Sequence, residues 1–271
     1  MLVLHRHRLI LLEPWKSASS TTRHRLGELN GFHRDHAVWF EPEVGRVISN
    51  HLTQHDLARL PEGALGYDVA VFIRNPYDRV VSAFRQVHRD LARQGNHDFG
   101  DRLVNRSSEL QLAATRDLLH RSGGNLNRWV ALLDRRCVDV PGHNPNLPLH
   151  PAHYWTHRDG VRKASVIGRV EDFETDFADL CRRYSLPSRS GNRNVDSDPR
   201  PGIRHAALLS TESLQRIEEW FAADLDLFGY PRLSERGQPG LLSPVPGPPG
   251  GRRPDTPDRP LRPEVLHPAR R

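Results

Sequence analysis

Only two of the 271 residues are cysteine, Cys137 and Cys181, and no CxxC spacing frames them. That argues against a disulfide framework and against a cysteine-built zinc site. No apolar run approaches the roughly 20 residues that a membrane-spanning helix needs. The start, MLVLHRHRLILLEPW, is apolar in part, but Arg6, His7 and Arg8 interrupt it. It reads as a strand and not as a secretory signal, so no transmembrane segment and a cytoplasmic location are expected. A glycine-rich loop ending in GK[ST] is missing, which argues against a nucleotide kinase of the Walker type. Recognition-helix, zinc-finger and RNP patterns are missing too, so nucleic acid is not an expected partner. There is no internal repeat.

What is present is a basic, water-compatible chain. Hydrophobic residues make up 37% and charged residues 27%, with 39 Lys and Arg against 33 Asp and Glu, a formal net charge of +6 and a pI near 9.9. That balance suits an anionic nucleotide or an acidic substrate. The length suffices for one α/β domain with a sizeable core. Beyond Pro231, proline, glycine and arginine dominate, so a domain over residues 1–235 and a disordered tail over 236–271 are expected.

The chain is organised around Asp68 to Phe84, DVAVFIRNPYDRVVSAF. Val69 to Ile73 form a continuous apolar run, as in a strand buried on both faces. Asn75 is a good N-cap, and Pro76 sits at the first helical position, where proline is best tolerated. A helix is expected from Pro76 to about Arg93, with Tyr77, Val80, Val81, Phe84, Val87 and Leu91 as its apolar stripe. Ser82 lies off that stripe, on the side of Arg74. A strand, a sharp turn and a helix start carrying Arg and Ser form an anion site. Upstream, Leu9 to Leu12 is expected as the first strand. It runs into Glu13-Pro14-Trp15-Lys16-Ser17-Ala18-Ser19-Ser20-Thr21-Thr22 and a short helix ending near Asn30-Gly31. Small and hydroxyl side chains there let backbone N–H groups approach phosphate oxygens, and a lysine adds charge.

The spacing R-x-P-x-x-R-x-x-S, here Arg74, Pro76, Arg79 and Ser82 within FIRNPYDRVVSAF, resembles the family-2 sulfotransferases, which include carbohydrate O-sulfotransferases and many bacterial relatives. PWKSASSTT resembles that family's 5′-phosphosulfate loop, P-K-x-A-S-T-S, with Trp15 inserted between Pro14 and Lys16. NHLTQHDLARL resembles the segment before the Arg-motif strand, in which a histidine sits in the active site. His51 falls at that position, and His55 is the alternative. VIGRVEDFETDF and DLDLFGY resemble further segments, and HPAHYW loosely resembles an acceptor-side H-x-x-P-Q. The resemblance spans about residues 8–231.

It implies a P-loop-like, three-layer α/β domain with a central, mostly parallel sheet, and transfer of a sulfuryl group from phosphoadenosine phosphosulfate (PAPS) to an acceptor hydroxyl, on a glycan or a small molecule. By that resemblance Lys16 addresses the bridging oxygen and 5′-phosphate. Ser17, Ser19, Ser20, Thr21 and Thr22 hold the 5′ end, Arg74 and Ser82 grip the 3′-phosphate, and His51 takes the acceptor's proton. No metal is needed where cationic side chains and backbone dipoles stabilise the charge. The rival readings are a nucleotide kinase and a non-catalytic anion- or nucleotide-binding domain.

The remaining pattern is coarser. Val47 to Ser49 reads as a strand, followed by a helix from Thr53, boxed by Asp56, to Leu60 before Pro61. Ser107 to about Leu119 and Asn125 to Arg135 read as helices, Ala164 to Ile167 as a strand, and Phe173 to Tyr184 and Thr211 to Asp226 as helices. Residues 138–160 read as a long functional loop. Its His143, His150, His153 and His157 form no regular ligand face between the prolines, so no metal site is expected.

Overall fold

The computed structural model describes residues 1–26, 38–41, 46–49, 51–93, 117–133, 149–187 and 205–236. The expected end of the first helix near Asn30-Gly31, most of the helix expected to begin at Ser107, residues 138–148 of the loop with His143, and the tail beyond residue 236 lie outside them.

A four-stranded sheet forms the centre, in the order β1 (Leu2–Leu4), β2 (Leu9–Leu12), β5 (Asp68–Ile73), β8 (Val166–Arg169). β2, β5 and β8 run parallel, with Ile10 opposite Val69 and Val71 opposite Ile167. β1 runs antiparallel to β2. Leu9–Leu12 is therefore the second strand, not the first. His5–His7 make a 3-10 turn and Arg8 adopts a left-handed conformation at φ 50°, so the basic interruption is the corner of a two-strand unit.

The apolar strands are continuous runs because both faces are covered. Side chains alternate: Ile10, Leu12, Val69, Val71 and Ile73 enter one core, while Leu9, Leu11, Ala70 and Phe72 enter the other. The first core is filled by Tyr77, Val80, Val81 and Val87 of α3 (Pro76–Arg93), by Trp129 and Val130 of α4 (Leu126–Leu132), and by Leu214 and Ile217 of α7 (Thr211–Trp220). The second is filled by Leu26 of α1 (Ser19–Leu26) and by Phe177, Leu180 and Cys181 of α6 (Phe173–Tyr184). Each such side chain, fully buried, contributes about 1.5–3 kcal/mol.

Some boundaries differ from expectation. α2 (Gln54–Leu57) starts at the Thr53–Asp56 capping box but is short, because Arg59 and Leu60 donate to Asp56 and Leu57, three residues back, ahead of Pro61. The long last helix divides at Phe221, whose ψ of 23° breaks the ladder between α7 and α8 (Ala222–Phe228). β8 begins two residues late, since Lys163 and Ala164 still bond the Thr156 carbonyl. Its Gly168 is required: a Cβ there would meet the Phe72 ring at 2.5 Å. A separate hairpin pairs β3 (Val38–Glu41) with β4 (Arg46–Ser49), and a small one pairs β6 (His157–Arg158) with β7 (Val161–Arg162) after α5 (His153–Thr156). Among the described residues no helix is long and apolar enough to cross a membrane.

Candidate active site

β2 and β5 are parallel neighbours, so the loops that leave their carboxyl ends emerge side by side. In open α/β sheets ligands collect at that edge. The β2 loop begins with Glu13, whose buried carboxylate accepts the Met1 ammonium at 2.8 Å and a two-bond fork from Arg23 at 2.7 and 2.5 Å. Burial alone would raise this carboxyl, but the two cations outweigh it and hold it at about 2. Beyond it the backbone turns through two left-handed residues, Lys16 at φ 64° and Ala18 at φ 61°. Each costs on the order of 1–3 kcal/mol in a non-glycine residue, and such turns make concavities lined by N–H groups. Ser17 Oγ and Thr22 Oγ1 are buried with no hydrogen-bond partner among the described residues. An unsatisfied buried hydroxyl costs about 1–3 kcal/mol. Strain in the Lys16–Ala18 turn, with orphaned hydroxyls on Ser17 and on Thr22 in the eight-residue α1 that follows, makes this a candidate oxyanion cradle. Ser19 is partly buried, Ser20 exposed and Thr21 buried in the first turn of α1.

The β5 loop supplies the second half. Asn75 caps α3 as expected: its Oδ1 accepts the Asp78 N–H at 2.8 Å. Glu171 Oε1 accepts from the Asn75 backbone N–H at 2.8 Å and from its Nδ2 at 2.7 Å, which fixes the chain just past Arg74. The Arg74 guanidinium is partly buried and has no hydrogen-bond partner among the described residues; the same holds for the Ser82 hydroxyl. The two halves meet. Lys16 Nζ donates to Gln86 Oε1 at 2.5 Å, and Gln86 lies one helical turn beyond Ser82.

His51 completes the group. Its Nδ1 lies 2.6 Å from the Glu13 carbonyl oxygen. A carbonyl only accepts, so Nδ1 carries the proton and Nε2 is the basic nitrogen of the neutral ring. Burial pushes the ring down to about 4. His55 is exposed on α2. The depressed value has a consequence for stability. A fold that disfavours the imidazolium contributes stability that is complete above the ordinary 6.5 and is lost as pH falls from 6.5 toward about 4. The Glu13 contribution is lost lower, as pH falls from the ordinary 4.5 toward about 2, so it changes little between pH 7 and pH 5. Between pH 7 and pH 5 the wild type should lose about 1 kcal/mol more than His51→Asn, with allowance for partial exposure. Urea unfolding of both proteins at the two pH values measures this, and equal losses would show that the ring is not held neutral.

A family model described as the sulfotransferase family matches residues 1–231. The chain belongs to that family. No curated protein and no solved structure matches it.

In this sulfotransferase domain the structure also shows residues whose function the sequence motifs did not assign. Arg79 is buried, and its Nε and Nη1 donate to the Trp15 and His150 carbonyls at 3.0 and 2.6 Å. Asp78 accepts from the His205 N–H at 2.8 Å and lies 3.2 Å from its Nδ1, while Arg85 Nη1 lies 2.9 Å from His205 Nε2. Asp78 and Arg85 flank Ser82 by one turn on either side, so His205 bridges across its helix face. The only advance signals were position within RNPYDRVVS for Arg79 and within GRVEDF for Glu171. The histidines of the 138–160 segment that are described each have a partner. His150 stacks on Trp155, His153 bonds the buried Asp224, and His157 bonds the Thr156 hydroxyl.

Proposed function

We propose that the protein moves a sulfuryl group from PAPS to an acceptor hydroxyl, with a carbohydrate as the favoured acceptor class, on a P-loop-like three-layer scaffold. The observation that carries this reading is the pairing, beyond adjacent parallel strands, of the strained Lys16–Ala18 turn and the orphaned Ser17 and Thr22 hydroxyls with Arg74, whose charge faces the Glu171 carboxylate, and with Ser82; the side chains of these last two make no hydrogen bond among the described residues. Two anion sites at one sheet edge suit a nucleotide carrying phosphate at both its 5′ and 3′ positions. Ser17, Ser19, Ser20, Thr21, Thr22 and the α1 N-terminus receive the 5′ end. Arg74 and Ser82 receive the 3′-phosphate. Lys16 answers the charge that develops on the 5′-phosphate oxygen.

The acceptor oxygen attacks sulfur while the bond from sulfur to the 5′-phosphate oxygen breaks. The acceptor proton passes to His51 Nε2, and adenosine 3′,5′-bisphosphate (PAP) leaves. Positioning and preorganised charge carry the catalysis. Family membership and the Nδ1-bound tautomer of His51 support the reading.

Arg74→Ala tests it. Losing a charge-assisted bond to phosphate should cost on the order of 1.5–3 kcal/mol, or roughly 10- to 150-fold in PAP affinity. Calorimetry with PAP and with Mg–ATP is the measurement. Unchanged PAP affinity would remove Arg74 from the site, and a wild type preferring Mg–ATP would return the kinase reading.

A further inference from the structure

Arg79 lies in the same helix as Ser82, yet it is directed into the protein, with 1% of its surface exposed. Its two carbonyl partners come from opposite sides of the sequence, Trp15 at 3.0 Å and His150 at 2.6 Å. Its Cζ lies over the Trp155 ring, 5.5 Å from the centroid. Asp224, which caps α5 through the Ala152 and His153 N–H groups, adds a favourable charge. Burial draws the guanidinium down to about 10, so it remains a cation at neutral pH. A cation in the core is an expensive way to fill space, since an apolar side chain of similar volume serves packing as well or better. Its geometry offers something packing cannot. The carbonyl held by Nε belongs to the peptide that joins Trp15 to Lys16. In a planar trans peptide the N–H points opposite to the C=O. Turning the Trp15 carbonyl toward Arg79 therefore turns the Lys16 N–H away from it, at the residue whose φ of 64° opens the cradle.

We propose that Arg79 is a positioning residue of the transfer site: it sets the Trp15–Lys16 peptide so that Lys16 addresses the nucleotide's 5′-phosphate, and it ties that peptide to the His150 segment. The proposal rests on the PAPS reading above. Arg79 touches neither reactant; it acts through Lys16. Lysine cannot replace it, because an ammonium on a flexible stem lacks the rigid fork that spans two carbonyls.

The experiment compares PAP with adenosine 3′-monophosphate by calorimetry on wild type and Arg79→Lys. The affinity ratio of the two ligands isolates the 5′-phosphate. PAP binding to Arg79→Lys should weaken about tenfold or more, the loss of one charge-assisted bond. Adenosine 3′-monophosphate, held at Arg74 and Ser82, should bind both proteins within about twofold. Equal weakening of both ligands would make Arg79 a general structural support, and no weakening of either would remove it from the cradle; each result overturns the proposal. If Arg79→Lys does not fold, Arg79→Gln, which drops the charge but keeps a donor, takes its place. Failure of both to fold would also overturn the proposal. A wild type that binds neither nucleotide would instead sink the PAPS reading, before any variant is compared.

Discussion

In His51→Asn, sulfuryl transfer falls by about 10²–10⁴-fold, the usual contribution of a general base. Asparagine is chosen because its amide keeps an N–H for the Glu13 carbonyl, which His51 now occupies at 2.6 Å. It offers no basic nitrogen, so the loss isolates proton transfer from loop architecture. PAP affinity stays near wild type, because the base addresses the acceptor and not the nucleotide. The pH profile gives a second readout. With the ring held neutral down to about 4, the acid limb of kcat/KM lies well below the 6.5 of an ordinary histidine, and activity is lost as pH falls through that lower value. His51→Asn lacks this limb. Parallel initial-rate and calorimetric measurements decide the matter. Full turnover in His51→Asn with loss in His55→Ala would transfer the role to His55, and full turnover in both would place the base elsewhere.

The parts of this site that the sequence revealed are those whose chemistry is local. Val69–Ile73 had to be a strand buried on both faces, since five successive apolar residues leave no face for water. Asn75-Pro76 had to start a helix, because one residue caps and the next has its φ preset. The Thr53–Asp56 box follows from spacing alone. What stayed hidden depends on distant partners. Arg79 and Arg85 look alike in the helix pattern, and only the positions of Trp15, His150 and His205 separate a buried strut from a surface cation. Glu13 resembles any loop carboxylate until Arg23 and the Met1 ammonium enclose it. The resemblance put His51 at the active-site position with His55 as the alternative, but nothing local said which ring the fold encloses. The two separate because the Glu13 carbonyl lies beside one of them. The break at Phe221 was invisible for the same reason: Leu214, Ile217, Phe221 and Leu225 keep helical spacing, and all four are buried on either side of the bend. The start reads as a strand, and its division into β1 and β2 stayed hidden because a run of basic residues looks the same whether it leads to a corner or to a coil.

Lys16→Ala carries the other large effect. Lys16 occupies a left-handed backbone position that glycine would take more cheaply. Its ammonium now donates to Gln86, one turn from Ser82, which keeps it over the helix face that carries Ser82. In the ground state the 5′-phosphate shares its charge with sulfur across the bridging oxygen. As that bond breaks the oxygen gains charge, so a cation beside it is worth more in the transition state than before. Removing one such preorganised donor costs about 10²–10³-fold in rate. PAP binding to Lys16→Ala should fall by a smaller factor, because on the proposed reading Ser17, Thr22 and the α1 N-terminus still receive the phosphate. The measurement is single-turnover transfer beside PAP calorimetry on the same preparations. If affinity falls by as much as the rate, Lys16 contributes uniform binding, not transition-state stabilisation. If neither falls, the loop from Glu13 to Thr22 does not hold the 5′ end, and the strain at Lys16 and Ala18 serves the fold alone.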